Sequence, residues 1–172
     1  MKLGIVGHGI LLDQVDDNTL DQWKEIYQKN TITKTHSGDD CWGIDKKCMA
    51  YGWFCKQVMP TIAKTFDPGI KLIFSSFIDL KTPLDIHTDL KPLPEGTTGR
   101  HYMSILVPYS IDNEKQDISR ASTCFYDQNN QLIEKVDWQK NSLLWWDSSI
   151  LHNSGGFDQF ESKQYFITHT YI

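Results

Sequence analysis

The sequence predicts a mainly β fold with N-terminal helices, an α+β chain whose body is a sandwich or jelly roll. Three observations carry that class. After Gly69 the apolar residues fall in short β-branched or aromatic runs divided by turn-rich segments. No helical pattern lies between them, which argues against a parallel α/β sheet. Before Gly69 the apolar spacing is helical. Aromatic residues reach 12% of the chain, a load that suits strands and pocket walls better than a helical bundle. At 172 residues the chain has the length of one domain. That domain is expected over 1–172, with a strand and supporting helices in 1–69 and the β body in 70–172.

The elements follow in order. Gly4-Ile5-Val6-Gly7-His8-Gly9 reads as an opening strand and turn. It imitates a dinucleotide-binding fingerprint, but Leu12 stands where the third glycine belongs and no second strand follows within a βαβ distance. Asn18 is the expected cap of a first helix whose apolar stripe is Leu20, Trp23, Ile26 and Tyr27. The acidic run Asp13–Asn18 lacks the glycine and glutamate of a calcium loop, so it reads as a solvated helix start. A second helix is expected from Asp39–Asp40 to about Gln57, with Cys48, Tyr51, Cys55 and Val58 or Met59 inward. Pro60 ends or kinks it, and Asp67-Pro68-Gly69 is a stop.

Strands are then expected at Lys71–Leu80, His101–Ser110, Ala121–Tyr126, Leu132–Val136, Ser142–Trp146 and Gln164–Tyr171. Turns separate them at Lys91–Gly99, Asp112–Asp117, Asp127–Asn130 and Asn153–Gly156.

Charge and cysteines narrow the function classes. The balance of 17 basic and 22 acidic residues gives −5, which argues against long nucleic acid and against a polybasic membrane binder. No run is apolar enough to span a bilayer, and no glycosylation sequon occurs. Cys41, Cys48 and Cys55 are spaced by seven, about 10.5 Å per step on a straight helix, beyond the roughly 7 Å reach of a disulfide. They also lack zinc-site spacing, as free buried thiols of a reducing compartment would. A cytoplasmic location is expected.

His87-Thr88-Asp89 is the first candidate for chemistry. On an extended segment residues i and i+2 point the same way, so an imidazole and a carboxylate can converge on one metal. Chance alone supplies such a pair in a chain of this composition, so the context matters. Downstream come the apolar run Leu143-Leu144-Trp145-Trp146, the turn Asp147-Ser148-Ser149, and Ile150-Leu151-His152. A histidine beside a buried strand needs a partner, and a metal is a good one. His87, Asp89 and His152 would form a two-histidine, one-carboxylate triad that leaves positions on iron(II) open for substrates and O2.

Taken with Arg100–Pro108, the Trp146–Ser154 segment and the strand from Lys163, this order resembles the iron(II)/2-oxoglutarate-dependent dioxygenases of the double-stranded β-helix fold, prolyl-hydroxylase-like members in particular. The likeness covers about residues 71–172. It implies iron(II) held by His87, Asp89 and His152, with 2-oxoglutarate and O2 as cosubstrates. It also implies oxidation of a substrate, most simply hydroxylation of an unactivated C–H bond, with release of succinate and CO2.

The far carboxylate of the keto acid then needs a buried cation, and the candidates are Lys163 and Arg100. Most relatives use arginine there, which binds a carboxylate bidentately, whereas lysine is a point charge. Strand parity leaves the choice open: Lys163, Tyr165, Ile167 and His169 share one face, and Gln164, Phe166, Thr168 and Thr170 the other. If the second face looks inward, Arg100 must serve. Tyr102 shares a face with Arg100 and is a further candidate contact for the cosubstrate.

His101 and His169 are candidates for either pocket wall or strand edge. Trp145 and Trp146 must point to opposite faces. The Pro- and Gly-rich loop Lys91–Gly99 is a candidate substrate lid. The substrate is expected to be an amino acid, a peptide or a small metabolite. Two other classes compete: a cupin-like metalloenzyme that does not use 2-oxoglutarate, although the His-x-His pattern of cupins is absent, and a non-catalytic jelly-roll binding module.

Overall fold

In the computed structural model, which describes residues 7–30, 32–35 and 38–172, two antiparallel sheets carry the fold. The strands are β1 (His8–Leu11), β2 (Ile32–Lys34), β3 (Asp40–Ile44), β4 (Lys71–Leu80), β5 (His101–Ile111), β6 (Ser122–Tyr126), β7 (Leu132–Asp137), β8 (Leu143–Asp147), β9 (Leu151–Gly155) and β10 (Lys163–Tyr171). The helices are α1 (Asp17–Gln28), α2 (Ala50–Gln57) and α3 (Met59–Thr65), with a single 3₁₀ turn at Ile118–Arg120. The larger sheet runs β1-β8-β5-β10-β4-β3-β2, and the smaller runs β7-β6-β9. None of the described helices is long and apolar enough to cross a membrane.

Strand alternation divides the interior into two cores. The helices cover one face of the large sheet, where Leu20 and Tyr27 of α1 and Phe54 of α2 meet Phe77, Ile105, Val107 and Phe166. Rings pack edge-on there: Tyr27 lies 5.3 Å from Phe166 and Trp23 lies 5.8 Å from Phe166, centre to centre. Burying each such side chain contributes about 1.5–3 kcal/mol. The opposite face of the sheet meets the small sheet through Leu106, Phe125, Trp138, Leu144, Trp146, Tyr165 and Ile167. A cavity opens in this second layer.

β10 is the central strand and pairs antiparallel with both β4 and β5. Phe166 faces the helices, while Tyr165, Ile167 and His169 line the cavity. The open question of parity is thus decided in favour of the Lys163 face looking inward.

Several local expectations need correction. The cap of α1 is Asp16 rather than Asn18; its Oδ1 accepts from the Thr19 backbone N–H at 2.9 Å. The second helix begins at Ala50, because Asp40–Ile44 is drawn into the sheet as β3, paired with Ser75–Asp79. Ladder pairing and the stacking of Trp42 on Phe77, 5.7 Å apart, override the weak helical spacing of that stretch. Cys41 consequently sits on a strand and lines the cavity. The short strand β2 carries no alternation that could announce it. Residues 153–155, expected as a turn, continue β9, and the turn is made at Gly156, where φ is +94°. A side chain there would meet the Arg120 carbonyl oxygen and, at 2.7 Å, the ring of Phe160. Of the expected opening strand, residues 4–6 lie outside the described residues.

Candidate metal centre

His87 follows β4 on an extended segment that zips against β9. The backbones of His87 and His152 exchange two hydrogen bonds, of 3.0 and 2.9 Å. The Asp89 N–H donates to the Ser148 carbonyl at 2.9 Å. These contacts bring residues more than sixty positions apart into one cluster. The ligating atoms of His87, Asp89 and His152 all lie within 4.8 Å of one another.

The two imidazoles are held alike. Nδ1 of His87 donates to the Asp85 carbonyl at 2.7 Å, and Nδ1 of His152 to the Ile150 carbonyl at 2.9 Å. With the proton on Nδ1, each Nε2 keeps its lone pair and faces Asp89, at 3.7 Å from His87 and 3.3 Å from His152. Burial of Asp89 opposes its charge, but the imidazoles of His169 and His152 and the Ser104 hydroxyl outweigh it and hold the carboxyl below its ordinary range. Burial lowers His152 and takes His169 down to about 4, so both are neutral at neutral pH. No lysine or arginine among the described residues pairs with Asp89. A buried carboxylate facing two imidazole lone pairs, with no cation of its own, is a donor set that fits a divalent transition metal.

The cluster borders a cavity of about 630 Å³, lined in part by Phe74, Ile78, Thr123, Trp138, Trp146 and Tyr165. That volume suits a small ligand. Lys163 lies directly behind the wall. It is 0% exposed, and its Nζ sits 4.3 Å from the centre of the Trp138 ring and donates weakly to the Ser122 and Gly155 carbonyls at 3.4 and 3.5 Å. No carboxylate among the described residues lies within ion-pair distance of it. Burial pushes the amine well below its usual range. The Oγ of cavity-lining Ser154 is also buried without a hydrogen-bond partner. A buried amine with only two long carbonyl contacts behind the Trp138 wall, and an unpartnered hydroxyl on the cavity, fit an anionic ligand.

Other candidate residues are placed differently. Arg100 is exposed, at the far end of β10 from Lys163, where its backbone pairs with Ile172. Tyr102 packs against the helix-side core and does not line the cavity. His101 bonds the Lys91 carbonyl and so ties down the start of the Lys91–Gly99 loop, whose Lys91 reaches the cavity. His169 lines the cavity, with Nδ1 at 3.1 Å from Ser104 Oγ. Trp146 lines the cavity, and Trp145 points the other way onto Phe66, 6.0 Å off. Trp138, Thr123, Ser104 and Ser148 belong to the site and were not candidates. No spacing signal marks them, since they arrive from separate strands and a turn.

No protein-family model and no curated protein sequence matches the chain. Solved structures do match. A Pseudomonas putida prolyl-4-hydroxylase superposes with a TM-score of 0.62 at 12% identity, covering 98% of this chain and 94% of that one. A 2OG-Fe(II) oxygenase family oxidoreductase from Burkholderia pseudomallei gives 0.68 at 8% identity, over 96% and 84%. HygX from Streptomyces hygroscopicus, with nickel and 2-oxoglutarate bound, gives 0.65 at 8% identity, over 96% and 82%. The chain has the double-stranded β-helix fold of the 2-oxoglutarate oxygenases. At such identities the likeness speaks for the fold, and the chemistry has to be argued from the site.

Proposed function

We propose that the protein is an iron(II)- and 2-oxoglutarate-dependent oxygenase that hydroxylates a C–H bond of an amino acid, a peptide or a small metabolite. One observation carries the reading. A His-Asp-His cluster borders the cavity, and a buried amine with no carboxylate partner among the described residues lies behind its Trp138 wall. The nickel and 2-oxoglutarate bound in HygX are the kinds of ligand those two features would take.

In this reading His87 Nε2, Asp89 and His152 Nε2 hold the metal. When bound, iron(II) supplies the redox chemistry that joins O2 to the keto acid, releasing succinate and CO2, and to the substrate. The chain supplies the rest. The carbonyls of Asp85 and Ile150 fix both imidazole tautomers, so neither ring has to reorganise to present its lone pair. Lys163, behind the cavity-lining Trp138, is the anchor for the far carboxylate of 2-oxoglutarate, with the cavity-lining Ser154 hydroxyl as a second donor. Arg100, exposed and remote from the Lys163 end of β10, takes no part. Tyr102 stays with the helix-side core. The apolar walls, Phe74, Ile78 and Ile167 among them, keep water from the reacting bond. The partly exposed edge of His87 marks the side where a substrate enters, beside the Lys91–Gly99 loop.

The test is anaerobic addition of iron(II) and 2-oxoglutarate. A visible metal-to-ligand charge-transfer band is expected, and it should vanish in both His87→Ala and Asp89→Ala. A band that survives both changes would remove this ligand set. Metal binding without a band would favour a metalloenzyme that does not use the keto acid.

A further inference from the structure

A metal-binding carboxylate has to be held in rotation as well as in place, because only one of its two oxygens need face the ion. Asp89 is 4% exposed, and the strongest hold on it comes from β8. The Nε1–H of Trp146 donates to Asp89 Oδ2 at 3.0 Å. Indole N–H is a donor only, so the bond has one polarity and cannot be reversed by a tautomer shift. Trp146 is itself 1% exposed. Its backbone is registered on both sides, against Ser104 of β5 and His8 of β1. Its ring is wedged between Phe125, 5.8 Å away, and His152, 4.7 Å away. The donor is therefore fixed by the sheet before any ligand arrives. The nearer imidazole, His152 Nε2, lies 3.3 Å from the same oxygen, and His169 Nδ1 stands farther off at 4.0 Å. Oδ1 remains as the oxygen that faces His87 Nε2.

We infer that Trp146 is a positioning residue for the metal site: its indole N–H holds Oδ2 of Asp89 and so aims the carboxylate at the ion. The inference rests on the reading of His87, Asp89 and His152 as ligands. It also gives the paired tryptophans separate duties, Trp145 packing under the helices and Trp146 acting on the site.

The experiment is calorimetric titration of the protein with cobalt(II), with the visible d–d absorption as a second readout. Trp146→Phe keeps a ring and removes the donor. It should weaken cobalt(II) binding by about 10- to 100-fold and shift the d–d band. Leu144→Val disturbs the same strand and core without touching the donor or the proposed ligands, and it should retain wild-type affinity. Wild-type affinity and an unshifted band in Trp146→Phe would overturn the inference, as would equal losses in the two variants. Should Trp146→Phe fail to fold, the wild-type indole N–H resonance decides. Slow exchange and a shift on zinc(II) addition support the bond, whereas fast exchange with no response to zinc(II) overturns it. If the wild-type protein binds no cobalt(II) at all, the ligand assignment itself falls. If it binds cobalt(II) and Trp146→Phe binds it equally well, only the role of Trp146 falls.

Discussion

Lys163→Met separates a residue kept for a ligand from one kept for stability, because its two expected effects have opposite signs. The amine is fully buried over the Trp138 ring, with two long contacts to carbonyls and no carboxylate of the described residues within ion-pair distance. Removing an imperfectly compensated buried charge in favour of an apolar side chain of similar length is neutral to stabilising, by roughly 1–4 kcal/mol. In a chain of this size that is about 2–4 °C of melting temperature per kcal/mol. The pH dependence has a definite sign. Burial lowers the folded-state pKa of Lys163 below its unfolded value, so between the two values the unfolded chain binds more protons and wild-type stability rises with pH. The penalty is complete below the folded pKa and gone above the unfolded one. The gain from Lys163→Met is therefore largest at the acid end and shrinks as pH increases. Binding should move the other way. A buried carboxylate deprived of its cationic partner costs about 2–5 kcal/mol, or roughly 30- to several-thousand-fold in 2-oxoglutarate affinity. Thermal unfolding of the ligand-free protein at several pH values and calorimetric titration of the metal-loaded protein with 2-oxoglutarate measure the two effects. A destabilised variant that still binds 2-oxoglutarate normally would refute the reasoning on both counts.

Arg100→Ala, in contrast, should leave 2-oxoglutarate affinity and the charge-transfer band unchanged, because the side chain is exposed and does not line the cavity; a lost band would reinstate it. Gly156→Ala places a side chain at φ +94° against Phe160 and Ala121. It should cost about 2 kcal/mol or more, read as a melting temperature lowered by several degrees. A melting curve that overlays the wild type would show that the turn relaxes freely.

Much of the fold can be read from short windows of the sequence. The runs of β-branched and aromatic residues expected as strands at Lys71–Leu80, His101–Ser110 and Ser142–Trp146 form strands at Lys71–Leu80, His101–Ile111 and Leu143–Asp147. The windows fail where a partner strand decides. Residues 40–44 look helical in isolation and become β3 because β4 offers them a ladder. At the site, the proximity of His87 to Asp89 is local, since two residues on an extended segment share a side. Their meeting with His152 is not local, since it depends on a bridge between segments more than sixty residues apart.

The sequence by itself determined the residue types and their order: the α-helices confined to the part before Gly69, the histidine–aspartate pair before the distal histidine, and only Arg100 and Arg120 to compete with the lysines for an anion. Burial was beyond its reach. Only the tertiary structure decided that β10 turns Lys163, Tyr165, Ile167 and His169 inward, that Arg100 remains in water, and that the Trp146 donor reaches Asp89. The physical reason is the period of a strand. Alternation tells which residues share a face, but which face meets the core depends on the sheet that packs against it.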